Sequence, residues 1–217
     1  VSASVSPTYG LPAARNAQGR IVSASDLLAR VYTMPSDFGR VFRAGIRSNP
    51  RNPLATQLFI ISRDSEKKLV ISPDSLKKNL RVFLNQFRMI SDAIDILDAA
   101  VVNIGVEFII SVELNAVKNV VLQDIIARLT KYFDAKNFQI DQPIRIDDVH
   151  NIIFNSPGVM SVIDLKFKCI NTISAGRTYS DVKFDIGSNT RKRLIVGPPG
   201  SMFEVRYPQF DIVGSAL

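Results

Sequence analysis

His150 and Cys169 are the only imidazole and the only thiol in the 217 residues. One cysteine cannot close a disulfide within the chain, and one histidine with one cysteine cannot furnish the three or four N/S ligands of a zinc site. Any nucleophilic mechanism with a histidine base has to use His150. That residue stands between Val149 and Asn151, inside a stretch over 147–155 that reads as an ordinary amphipathic helix, and no nucleophile is specified beside it. A histidine at the surface or at the edge of the core is the expectation. Cys169 closes an apolar strand pattern and reads as a small buried hydrophobe, which suits a reducing compartment.

The remaining candidates for chemistry fail on spacing. Asp147 and Asp148 are adjacent, so on a helix their side chains point about 100° apart, and carboxylates at a helix start are accounted for by its positive end. Glu107 and Glu113 share a strand face but are separated by roughly 20 Å of strand rise, too far for a glycosidase pair. Gly197-Pro-Pro-Gly200 lacks the Gly-Lys-Ser/Thr ending of a phosphate loop, and two prolines remove amides that would hold a phosphate. It reads as a tight turn. No catalytic residue, cofactor, metal or small-molecule substrate is therefore expected.

The elements that would position these residues follow from periodicity. Ser23-Ala-Ser-Asp26 places a capping hydroxyl and an acid before Leu27, Leu28 and Val31, predicting a helix to about Thr33 that Pro35 stops. Strands are predicted over 38–46 and 58–61. Ser72-Pro73-Asp74 starts a helix whose stripe is Leu76, Leu80, Phe83, Leu84 and Phe87. Val102, Ile104, Val106, Phe108, Ile110, Val112 and Leu114 alternate with Asn103, Glu107, Ser111 and Glu113, the pattern of a long strand wet on one side. Helices follow over 118–134 and 146–155, and Val159, Ile163, Leu165 and Phe167 alternate with Asp164, Lys166 and Lys168 in a further strand. The resulting fold class is α+β: two small sandwich-like units with mainly antiparallel sheets, then a β-rich tail. The expected organisation is a linker or extended arm over 1–22, a first domain over 23–98, a second over 99–169 and the tail over 170–217. No run reaches the roughly 18 to 20 apolar residues of a membrane span. The chain opens on Val1 rather than Met, and we read it as a fragment of something longer.

The net charge of +7 is unevenly spread. Residues 40–88 hold 11 basic and 3 acidic side chains, and residues 91–170 hold 7 and 11. Arg40, Arg43, Arg47, Lys77, Lys78, Arg81 and Arg88 form the candidate basic surface. It fits an acidic neighbour such as a second copy, or a solvated helix face. A nucleic-acid-binding module is the alternative, weakened because aromatics are not interleaved with the charges. In the tail, Met202, Phe203 and Tyr207 are candidate apolar anchors of a homodimer, with Arg191, Lys192 and Arg193 as its polar rim.

Residues 25–35 (Ser-Asp-Leu-Leu-Ala-Arg-Val-Tyr-Thr-Met-Pro), followed by Gly39-Arg-Val-Phe-Arg-Ala44, resemble a recurrent stretch of the baseplate J-like family of contractile tails. The run from Val101 through Ile125, Tyr132-Phe133 and Ile146 to Ser156-Pro-Gly-Val-Met-Ser-Val162 is similar to the same family's strand, helix and Pro-Gly-Val ending. The resemblance spans nearly the whole chain, as the C-terminal part of a wedge subunit. It implies a structural virion protein of the tail baseplate, assembled in the host cytoplasm. The same resemblance implies pairing with itself, linkage of wedges into a ring around the hub, and contact with other wedge proteins. It brings no catalytic residues.

Overall fold

A computed structural model describes residues 20–52, 55–87 and 93–217. Most of the expected arm, up to residue 19, and Arg88 lie outside the described residues. The chain divides into two compact units, one of residues 1–60 and 72–97, the other of residues 61–71 and 98–217.

In the first unit, helix α1 (Ala24–Tyr32) begins with a reciprocal cap. The Ser23 hydroxyl accepts the Asp26 N–H at 3.2 Å, and the Asp26 carboxylate accepts the Ser23 N–H at 2.9 Å. Strand β1 (Arg43–Ser48) starts five residues later than its predicted beginning. Ser36–Phe38 instead form a 3-10 turn, and Gly39 has φ +105°, outside the extended region a strand requires. Strand β2 (Ala55–Arg63) pairs with β1, and at its end Ser62 and Arg63 pair antiparallel with β3 (Leu69–Val70), both in the second unit. Helix α2 (Asp74–Asn85) begins behind Pro73 and buries Leu76, Leu80 and Leu84. Strand β4 (Ala93–Asp98), which the sequence pattern did not announce, also pairs with β2. Leu27, Val31, Leu58, Ile60, Leu80 and Ile96 meet in one core. Each such side chain contributes about 1.5–3 kcal/mol by leaving water.

The second unit is organised on β5 (Ala100–Val112). After it come α3 (Lys118–Tyr132), β6 (Ile144–Arg145), α4 (Ile146–Phe154) and β7 (Val159–Cys169). Strand, helix, helix, strand is the predicted order. β7 runs antiparallel to β5, and the register skips Ile163 between the Ile109–Asp164 and Ile110–Val162 pairs. This bulge breaks the simple alternation and leaves Ile163 53% exposed. The helices pack on each other, α3 against the C-terminal strand and α4 against β7, through Val121, Ile125, Leu129, Val149 and Ile153.

Residues 170–217 complete this unit. They form the hairpins β8 (Ile173–Ser174)–β9 (Arg177–Thr178) and β10 (Thr190–Arg191)–β11 (Leu194–Ile195), then β12 (Ser201–Glu204), the single turn α5 (Pro208–Asp211) and β13 (Ile212–Ala216). β12 and β13 lie one after the other along β5, both parallel to it, with partners at Ala100–Asn103 and Val106–Ile110. A 13-residue strand is thus served by two short ones with a helical turn between them. Pairing is otherwise antiparallel in β2–β3, β5–β7, β6–β11, β8–β9 and β10–β11, so the fold is α+β with mainly antiparallel sheets.

Candidate interaction surfaces

The residues with chemical potential are held in structural roles. The His150 ring stacks on Phe154 one turn along α4, with centroids 6.3 Å apart. Cys169 is half-buried rather than fully buried, because it ends β7 where its thiol donates to the Val182 carbonyl at 3.7 Å. Asp147 takes the Arg193 guanidinium and Asp148 faces Arg145, so the two carboxylates part as helix geometry requires. Burial, with the Asp148 carboxylate, pushes the Tyr132 hydroxyl up to about 12. Glu107 pairs with Lys168 across β5 and β7. The Gly197–Gly200 stretch is a turn closed by Ser201 N–H donating to the Pro198 carbonyl at 3.1 Å, and Asp141 accepts the Gly200 N–H at 2.6 Å. Among the described residues, no group of three or more His, Cys, Asp or Glu could hold a metal ion, and no helix is long and apolar enough to cross a membrane.

The densest polar site was not foreseen. Glu204, 5% exposed on β12, accepts the Leu69 N–H at 2.7 Å, the Asn103 Nδ2–H at 2.8 Å and Arg206 at 3.2 Å. Asn103 is fully buried on β5 and accepts the Ser180 N–H at 2.7 Å. Arg206 also donates to the Leu69 carbonyl at 3.2 Å. Burial raises the Glu204 carboxyl above its ordinary value, while the Leu69 N–H and Arg206 pull it back down. The network ties the 61–71 segment, β5 and β12 into one unit. The signal for it was a single acid in Met-Phe-Glu-Val and a single amide in Val-Val-Asn-Ile, each surrounded by apolar residues.

The tail candidates separate into two groups. Met202 and Phe203 are 0% and 4% exposed, because β12 lies in the sheet beside β5 and turns both side chains into its own unit. They offer no free apolar surface. Tyr207 is half-buried, edge-on to Tyr179 at 5.3 Å with the Lys68 ammonium over its ring at 4.4 Å. Arg191, Lys192 and Arg193 are exposed. They form the tip of a two-residue hairpin in which Arg191 faces Leu194, and Lys192 and Arg193 take φ of +49° and +62°. Such turns favour Asn-Gly; a side-chain-bearing pair there is strained by about 1 kcal/mol or more per residue. Arg193 is anchored by Asp147 and by its carbonyl, which accepts the Ile146 N–H at 2.9 Å. Arg191 and Lys192 point their charge outward from a fixed base.

The basic candidates all lie in the first unit. Arg43 is half-buried with its guanidinium over the Phe42 ring at 4.7 Å, and Arg47 is half-buried. Lys77 pairs with Asp74 at 2.9 Å. Arg40, Lys78 and Arg81 are exposed. The six described candidates therefore do not form one uniform positive face.

Neither a protein-family model nor a curated protein sequence matches this chain. Among solved structures it is similar to a chain of the anti-feeding prophage (AFP) baseplate, seen by cryo-EM with 6-fold symmetry, with a TM-score of 0.52 at 9% identity over 95% of this chain. This chain spans 40% of the length of that one. At such low identity the likeness is one of fold, and it runs through both units.

Proposed function

We propose that the chain is a structural, non-catalytic part of a contractile-tail baseplate, placed in the wedge in the manner of the C-terminal part of the gene-six wedge protein of T-even bacteriophages. The observation that carries the proposal is the fold shared over 95% of the chain with a chain of the AFP baseplate. Sequence stretches over 25–44 and 101–162 support it independently through their resemblance to the baseplate J-like family. The roles of His150, Asp147 and Asp148 in packing and ion pairs agree with a protein that binds rather than catalyses.

In this proposal the chain pairs with itself and with other wedge proteins, and such pairs link wedges into a ring. The self-contact uses the 190–195 hairpin, in which Lys192 and Arg193 retain a costly turn geometry and Arg191 and Lys192 carry the exposed charge. Residues at a strained position are a recurrent mark of sites kept for function. Apolar contact comes from Phe210 and Val213, 51% and 49% exposed, in place of the buried Met202 and Phe203. Sedimentation velocity of the 217-residue chain over a rising concentration series tests this. A dimer that reverts to monomer in Arg191→Glu/Lys192→Glu is the expected result, and a monomer at every concentration contradicts the self-contact.

A further inference from the structure

We draw no further inference here: the strongest candidate, the exposed apolar patch of Leu114, Val117, Val120 and Met160 where the turn between β5 and α3 meets the start of β7, carries nothing because nothing in the structure shows what covers it.

Discussion

Glu204 and Asn103 are register partners in the parallel ladder of β12 and β5, and the Asn103 amide donates to the Glu204 carboxylate at 2.8 Å with both side chains out of water. Replacing Asn103 by Leu takes a donor from Glu204 and the acceptor from the Ser180 N–H. A loss of about 1–3 kcal/mol in urea unfolding is expected, because buried groups are left unpaired. Unchanged stability would mean that the network is not closed in solution.

Glu204 also sets a pH dependence. Burial raises its carboxyl in the folded chain, so the folded state binds that proton more tightly than the unfolded one. The associated stability is fully present below the ordinary glutamate value and is lost as pH rises through the raised value. Glu204→Gln, which stays neutral, should therefore gain stability relative to the natural chain as pH rises from about 4.5 towards 7. Melting temperatures of both proteins across that range provide the check, and a difference that is flat or falls with pH contradicts it.

The hairpin tip predicts a stabilising substitution. Lys192→Asn places at φ +49° a residue that adopts this region more readily. A gain of several tenths of a kcal/mol, roughly 0.5, is expected in thermal unfolding. The same variant should associate more weakly with itself, separating a cost in stability from a use in binding.

Gly214 predicts the opposite. It pairs with Phe108 in the β5–β13 register, and a Cβ at that position would overlap the Phe108 ring. Gly214→Ala should destabilise by about 1–3 kcal/mol through overpacking. Phe108→Leu, costly alone, should offset part of that loss in the double variant, and strictly additive losses would show that the two positions do not touch.

Local pattern made much of the fold legible. Helices α1, α3 and α4 lie within a residue or two of their predicted bounds with their stripes buried, and the Ser23–Asp26 cap of α1 follows directly from the types at those positions. What escaped depends on contacts distant in sequence. Asn103 sits on the face of β5 expected to be wet, yet it is buried because Ser180 and Glu204 reach it from 77 and 101 residues away. β4 was hidden because Asp95 and Asp98 interrupt a short run whose apolar members are Ile94, Ile96 and Leu97. Met202 and Phe203 read equally well as contact anchors or as core, and only the parallel pairing of β12 with β5 turns them inward.

The central claim, a structural place in a tail baseplate, is tested most directly on purified tail particles from the source of this sequence. Gold-labelled antibody against the 217-residue chain, viewed by negative-stain electron microscopy, should mark the baseplate end of the tail. Label along the tail shaft, or particles that carry none of this chain by peptide mass spectrometry, would contradict it.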